Sequence, residues 1–268
     1  MKDLKQFSSS RRQAGFTLVE MAVVLVIIGL ILGAVMIGKD VQRNAEYTKV
    51  KQKFVDQWAV GYNAFHQRTG APLGDNQTAP RLMVNGASYT VAVNQPLSGG
   101  NMTGITGPAP ICRGSAPAGV TAMQVGAEFD LRGIMQRAGI RMPPGRGEGM
   151  EDRYVYLDSN GNPQEIQVCF QWNAPGSPSG SGNVMVISGL TPDLARSLDQ
   201  MVDGKPDAQE GLFRQSTVVN GTANAPGVEW AANNTFAQGA TSPGGTGVGA
   251  GLDEDQVITV IAHYKMNQ

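Results

Sequence analysis

The chain has 268 residues, of which 41% are hydrophobic and 16% charged, and this composition excludes a protein that is disordered throughout. Its charge is uneven: residues 1–15 hold four basic side chains against one acidic, whereas the rest of the chain holds 17 basic and 21 acidic residues. Because nothing after the first fifteen residues is a basic footprint, we expect no nucleic-acid partner. Thirty-five glycines and 15 prolines predict long polar loops around a modest core.

An apolar segment runs from Phe16 to Gly38 and carries only two clearly polar side chains, Thr17 and Glu20. As a helix it would be roughly 35 Å long, which is enough to cross the hydrocarbon core of a bilayer. A secretory signal peptide also has a basic start and an apolar run, but its run is only about 7–15 residues long and ends at a small-residue cleavage site. Here the run is longer and continues into a helical pattern, which favours a membrane anchor.

Beyond Lys39, apolar residues recur every three or four positions, which is the period of an amphipathic helix. No proline interrupts the chain before residues 69–72, which read TGAP and supply a stop signal. We therefore predict one helix from about Thr17 to Arg68, roughly 80 Å long, whose second half lies on a globular domain. The apolar stripe of that half consists of Tyr47, Val50, Phe54, Trp58, Tyr62 and Phe65.

Residues 15–20 read GFTLVE and stand between a short basic leader and the apolar helix. This arrangement resembles the cleavage and methylation motif of type IV pilins and pseudopilins, over the first fifth of the chain. The resemblance implies that residues 1–15 are a leader, that a prepilin peptidase cuts after Gly15, and that Phe16 becomes the N-methylated first residue. It also implies partners: identical or related pilin subunits in a helical filament, the inner-membrane assembly machinery and, before assembly, the lipid bilayer.

Glu20 is an ionisable residue within an apolar segment, where such residues are costly and usually functional. The resemblance assigns its carboxylate mainly to the Phe16 ammonium of a neighbouring subunit, an ion pair that sets register more than it adds stability. The alternative is that Glu20 merely extends to the lipid headgroups beside Thr17. Gly29 and Gly33, in the spacing G-x-x-x-G, would let such helices approach closely.

Residues 70–268 are expected to form a periplasmic or extracellular domain built on antiparallel strands. With a helix over residues 16–69, of which residues 16–38 span the membrane, this gives an α+β, pilin-like fold. Residues 158–163 contain an Asn-Gly pair and favour a hairpin turn over the calcium loop that they faintly resemble. The predicted strands are 89–93, 154–157, 165–172, 184–187 and 257–261, and a short helix is predicted within 123–139.

The only two cysteines, Cys112 and Cys169, are expected to form a disulfide. The basic leader orients the chain so that its C-terminal domain lies on the periplasmic side of the membrane, where disulfides form. Two buried free thiols would be expected instead in a cytosolic protein. The two histidines cannot build a metal cluster with these cysteines at any recognised spacing.

A third predicted helix begins at Thr191 and ends at Gly204, and it introduces a group of acidic residues. Oxygen-rich clusters can hold calcium, and some pseudopilins that resemble this chain use a calcium site near their C-terminal loops. The plainer interpretation, which we favour, is a solvated acidic helix end with a glycine stop. The residues concerned are Asp199 and Asp203, which share one helix face, followed by Asp207 and Glu210.

The sequence contains no catalytic constellation, so we expect a structural protein rather than an enzyme, with no cofactor besides the possible calcium ion. The leading hypothesis is a major or minor subunit of a type IV pilus, anchored once in the bacterial inner membrane before assembly and located in a surface filament afterwards. One alternative is a pseudopilin of a type II secretion system, located in a periplasmic pseudopilus. The other is a single-span anchored binding domain that never polymerises.

Overall fold

The computed structural model describes residues 17–91, 95–96, 100–113, 130–216, 218, 227–230 and 259–266. The leader, with Gly15 and Phe16, lies outside these residues. The chain divides into two units, the first ending at Arg43 and the second beginning at Asn44. The second unit contains the whole sheet and also the helical residues that carry the predicted apolar stripe.

The predicted long helix is present, because helical residues run from Leu18 to Thr69. The helix contains a π-helical turn that the sequence pattern does not predict. There, Lys51 Nζ lies 2.8 and 2.9 Å from the two carboxylate oxygens of Asp56, five residues later. The helix stops at Gly70, whose left-handed backbone (φ 73°) lets its N–H donate to the carbonyl of His66. The helical elements are α1 (Leu18–Val50), the π segment (Lys51–Val55) and α2 (Asp56–Thr69).

The predicted apolar stripe forms one side of the main core, and each of its six side chains is at most 5% exposed. Tyr62 stacks on Phe170 of the sheet with ring centroids 5.2 Å apart, and Phe54 packs against Tyr154 at 5.4 Å. The indole N–H of Trp58 donates to the carbonyl of Glu151 at 3.1 Å. Aromatic burial of this kind is a large stabilising contribution, so these contacts hold the helix on the sheet.

Within the described residues the sheet has five antiparallel strands in the order β1-β2-β3-β5-β4, so β5 lies between β3 and β4. The predicted strands 154–157, 165–172 and 184–187 are confirmed. Of the last predicted strand, 257–261, residues 260 and 261 belong to β5, and residues 257 and 258 lie outside the described residues. The short strand β4 was not predicted. The strands are β1 (Arg153–Leu157), β2 (Pro163–Asn173), β3 (Gly182–Leu190), β4 (Phe213–Gln215) and β5 (Val260–Lys265).

The prediction of a strand at 89–93 is wrong over residues 89–91, which have no regular secondary structure, while residues 92 and 93 lie outside the described residues. A 3-10 turn (Gly86–Ser88) precedes them, and the N–H of Tyr89 donates to the carbonyl of Gly86. The Tyr89 carbonyl accepts a hydrogen bond from the guanidinium of Arg81. The backbone groups that a strand would offer to a neighbour are therefore used locally.

The turn between β1 and β2 is the predicted hairpin. One carboxylate oxygen of Asp158 accepts the N–H groups of Asn160 and Asn162, each at 2.8 Å, and the Asp158 N–H donates to the Asn162 carbonyl at 2.9 Å. Because backbone N–H groups occupy this carboxylate, the turn does not present it as a calcium ligand.

A short segment before residue 113 pairs with the sheet beside β2. Ile111 exchanges two backbone hydrogen bonds with Phe170, at 2.7 and 2.9 Å, and this places Cys112 next to Cys169. The two cysteines form a disulfide, which is buried together with Val184, Val186 and Ile261.

Two further α-helices of the described residues are shorter than α1. The first, α3 (Leu131–Arg137), occupies only part of the predicted 123–139, of which 123–129 lie outside the described residues. The second, α4 (Pro192–Asp203), has the predicted limits: Thr191 caps its start by accepting the Leu194 N–H, and Gly204 ends it with φ 78°.

Candidate functional site

The first turn of α1 is closed by a reciprocal pair of side chains. Glu20 Oε2 accepts hydrogen bonds from the Thr17 backbone N–H at 2.7 Å and from the Thr17 hydroxyl at 2.9 Å. In return, the Glu20 N–H donates to Thr17 Oγ1 at 3.3 Å. This arrangement is a capping box, which satisfies N–H groups that the first helical turn leaves without a partner.

The capping box gives Glu20 a defined position at the start of α1. Both hydrogen bonds from Thr17 reach Oε2, so Oε1 has no partner among the described residues. The part played by Thr17 was not predicted from the sequence. The signal was available, because a threonine followed three residues later by a glutamate before an apolar run is the sequence form of a capping box.

The apolar residues of α1 are uncovered. Every large hydrophobic side chain from Leu18 to Ile37 is at least 44% exposed. A Cβ atom added at Gly29, Gly33 or Gly38 would meet nothing within 4 Å, so each glycine leaves a shallow notch on the helix surface. Among the described residues, this is the one helix long and apolar enough to cross a membrane.

The prediction of a solvated acidic helix end is wrong for Asp199, within α4, and for Asp207, after it, because both are buried, whereas Glu210 is exposed. Asp199 is 0% exposed, and its Oδ2 accepts the indole N–H of Trp230 at 2.7 Å and the backbone N–H of Asp207 at 2.6 Å. Burial is the main reason that its pKa rises to about 7, and the nearby Asp203 carboxylate adds to the rise.

The other three acidic residues accept hydrogen bonds from backbone N–H groups or form ion pairs with Lys205. Asp203 Oδ2 accepts the N–H groups of Leu212 and Phe213, each at 2.9 Å. Asp207 and Glu210 both lie near Lys205, at 2.9 and 3.3 Å from its Nζ. Burial alone would raise the pKa of Asp207, but the N–H of Gln209 and the ammonium of Lys205 outweigh it and lower that pKa.

These contacts bear on the calcium hypothesis for Asp199, Asp203, Asp207 and Glu210. Across the parts of the chain that the structure describes, no group of three or more His, Cys, Asp or Glu residues is arranged to hold a metal ion. The hydrogen bonds give the carboxylates of Asp199 and Asp203 a structural use: they hold the loop between α4 and β4 against the helix.

A second buried polar group was not anticipated from the sequence. His263 on β5 is 8% exposed, and its Nδ1 lies 2.5 Å from Ser179 Oγ and 3.2 Å from Asn173 Nδ2. Burial lowers its pKa to about 4, so the ring is neutral at physiological pH. No sequence signal joins these three residues, because they meet only through the pairing of β2, β3 and β5.

Comparison with known proteins bears on the N-terminal site. Residues 10–36 match the family model described as the prokaryotic N-terminal methylation motif. We found no match to the chain among curated proteins or among solved structures. The matched residues include the predicted cleavage point, the capping box and most of the uncovered apolar surface. The chain therefore carries the N-terminal motif that is the signature of prepilin-type cleavage in type IV pilins and pseudopilins.

Proposed function

We propose that this protein is a structural subunit of a type IV pilus, cut by a prepilin peptidase after Gly15, methylated at Phe16 and polymerised through α1. The observation that carries the proposal is the uncovered apolar helix that begins, directly after the proposed cleavage point, in the Thr17–Glu20 capping box. The matched motif is a structural one rather than that of an enzyme family, and we propose no catalytic role.

An uncovered apolar helix needs a partner in each of its two environments. In the inner membrane, lipid tails surround it. In a filament, helices of other subunits replace the lipid, and the notches at Gly29 and Gly33 allow close approach. Assembly in this scheme transfers α1 from one apolar environment to another.

Glu20 and Phe16 give the assembled helices their register. Cleavage after Gly15 would create an ammonium on Phe16, and a charge in apolar surroundings needs an opposite charge or hydrogen-bond partners. Thr17 holds one oxygen of Glu20, which leaves Oε1 for the Phe16 ammonium of an adjacent subunit. Helices out of register would leave both charges unpaired, which is costly in a low-dielectric interior.

Mass spectrometry of the mature chain tests the processing step. We expect an N-terminus at Phe16 carrying one methyl group. An intact Met1, or a cut within the apolar helix, would contradict the proposal, since either would remove the ammonium from its place beside Glu20.

Substitutions at Glu20 test assembly. Glu20→Leu removes both the charge and the cap, whereas Glu20→Gln keeps an oxygen that can accept from Thr17 but lacks the charge. We expect both variants to insert in the membrane and both to be incorporated into surface filaments at least tenfold less than the wild type. Asp40→Asn, an exposed acidic residue of the same helix, is the matched control and should assemble normally.

Imaging of filaments with labelled chains completes this test and distinguishes the alternatives. Label along surface fibres supports a major pilin, and label at their tips a minor one. Label confined to the periplasm indicates a pseudopilus of a type II secretion system. If the wild type forms no filaments and both Glu20 variants insert in the membrane as it does, the protein is an anchored domain that does not polymerise.

A further inference from the structure

Two exposed asparagines of the second unit begin the sequence Asn-x-Thr, which is the acceptor form for N-linked sugars in exported proteins. They are Asn76 and Asn101. Asn220 and Asn233 show the same spacing but lie outside the described residues. So short a motif does not select an acceptor by itself, and the surroundings of the two described asparagines decide between them.

The side-chain amide of Asn76 is held by its oxygen. Asn76 Oδ1 accepts the Thr78 N–H at 3.0 Å and the Thr78 hydroxyl at 2.8 Å. This turn leaves the amide nitrogen, Nδ2, without a hydrogen bond to any described residue. Because residues 76–80 are all exposed, an enzyme can reach that nitrogen.

The carboxylate of Asp75 closes the base of the loop that carries Asn76. Its Oδ1 accepts the Asn76 N–H at 2.8 Å, and its Oδ2 accepts the N–H groups of Arg81 and Leu82 at 2.8 and 2.7 Å. The exposed residues 76–80 therefore lie between two ends that one side chain holds together. An enzyme can bind this loop without removing any buried side chain from the core.

Asn101 lacks two of these features. Among the described residues, its Oδ1 accepts the Thr103 N–H at 3.1 Å but no hydroxyl group. The middle residue of its motif, Met102, is 5% exposed and belongs to a small apolar cluster with Met83 and Tyr89. Binding of this segment in an enzyme would draw Met102 out of that cluster, which costs free energy.

We propose that Asn76 is an N-glycosylation site and that Asn101 is not. The donor is a sugar joined through a diphosphate to a membrane lipid; here the inference rests on the proposed function, because anchoring in the inner membrane places the chain beside such donors. Nδ2 gives its proton to a basic group of the transferase and bonds to the anomeric carbon of the sugar. The bond from that carbon to the diphosphate oxygen breaks, and the lipid diphosphate leaves with the electron pair. The Thr78 hydroxyl stabilises the negative charge that Oδ1 gains as Nδ2 loses its proton.

Mass spectrometry of the chain purified from the membranes of the organism that makes it tests the modification. The chain is digested, and a fragmentation method that preserves side-chain modifications locates the added mass. We expect an increase of at least one sugar residue on the side chain of Asn76 and none on Asn101. An unmodified Asn76, a sugar on the Thr78 hydroxyl instead, or a glycan on Asn101 would overturn the inference. If the chain forms no filaments, the proposed function fails, while a glycan on Asn76 still supports the inference.

Variants made in the same organism test the part played by the hydroxyl group. Thr78→Val keeps the size of the side chain but lacks the hydroxyl, so we expect complete loss of the glycan, whereas Thr78→Ser keeps a hydroxyl and should retain it. Asn101→Gln is the matched control, because it removes the other described motif and should leave the mass of the glycan unchanged. Thr78 and Asn101 are exposed, so all three variants should fold as the wild type does. Retention of the glycan in Thr78→Val, or its loss in Asn101→Gln, would overturn the inference.

Discussion

Burial shifts the pKa values of two ionisable residues of the globular unit in opposite directions. Burial lowers the pKa of His263 from 6.5 to about 4 and raises that of Asp199 from 3.8 to about 7. Both shifts favour the neutral form, because a charge is poorly solvated inside a protein. Their effects on stability have opposite signs: His263 costs stability as the pH falls from 6.5 towards 4, and Asp199 costs stability as the pH rises from 3.8 towards 7.

The Asp199→Asn substitution should remove the loss of stability that Asp199 causes as the pH rises. The wild-type carboxyl is neutral in the folded state below its raised pKa and loses its stabilising contribution as the pH rises through about 7. Between pH 5 and pH 8 we expect Asp199 to cost the wild type roughly 2 kcal/mol of unfolding free energy relative to the variant. Urea titrations of the detergent-solubilised chain, followed by tryptophan fluorescence, measure the difference, since all three tryptophans lie after Asn44.

The matched control is Asp193→Asn on the same helix, whose side chain is 47% exposed and which should leave the pH dependence unchanged. Equal pH dependence in the wild type and Asp199→Asn would show that Asp199 is ionised in the folded protein at pH 5. Because His263 is present in all three chains, its opposite contribution cancels in the comparison.

At the scale of single residues, the burial of Asp199 could not be predicted from the sequence. The sequence placed the four acidic residues near one helix end, and they do lie close in the chain. It could not show that Asp199 is buried, because the indole that donates to it belongs to Trp230, 31 residues later. The local sequence does not distinguish a carboxylate that accepts a hydrogen bond from a distant residue from one that is hydrated.

At the scale of elements, the connection from β3 to α4 depends on one glycine. Gly189 has φ 79°, and a Cβ atom placed on it would lie 2.1 Å from the carbonyl oxygen of Glu165 on β2. Its carbonyl accepts the Tyr156 hydroxyl at 3.1 Å, and that hydroxyl in turn accepts the N–H of Thr191, the cap of α4, at 2.9 Å. The close approach of two backbones thus sets where the helix begins.

Gly189→Ala should therefore be severely destabilising. It combines the left-handed strain of about 1–2 kcal/mol with a backbone clash, and we expect a total loss of at least about 3 kcal/mol of unfolding free energy. Gly161→Ala is the control, because Gly161 has φ 88° and open space around it, so that only the strain applies. Equal losses in the two variants, measured by urea titration, would mean that the chain relieves the clash by a small shift.

The elements that the sequence predicted are those whose pattern is long and local. The stripe of α1 and α2 repeats over five turns, and the central strands carry runs of apolar and β-branched residues, so both are recognisable. Strand β4 has three residues and pairs with β5, and the π segment differs from an α-helix by its hydrogen-bond register rather than by composition. Neither leaves a periodic signal.

For the molecule as a whole, the sequence predicts the local N-terminal motif and the overall fold class. The N-terminal motif predicts processing and anchoring because its chemistry is local: a cleavage point, a capping pair and an apolar helix. The α+β arrangement follows from the change of period after residue 70. The strand order does not follow, since the insertion of β5 between β3 and β4 is decided by packing between segments far apart in the chain.

The disulfide joins two distant parts of the globular unit, and its loss should weaken that unit as a whole. Cys112 and Cys169 are 57 residues apart, and closing a loop of this size stabilises the folded state by roughly 4 kcal/mol in the chain-entropy model. We expect reduction of the wild type to lower the unfolding free energy by about that amount. The double variant Cys112→Ala/Cys169→Ala is the control, because reductant should leave its stability unchanged. If reduction changes the wild type by less than about 1 kcal/mol, the Ile111–Phe170 pairing and the surrounding apolar cluster hold the segment without the bridge.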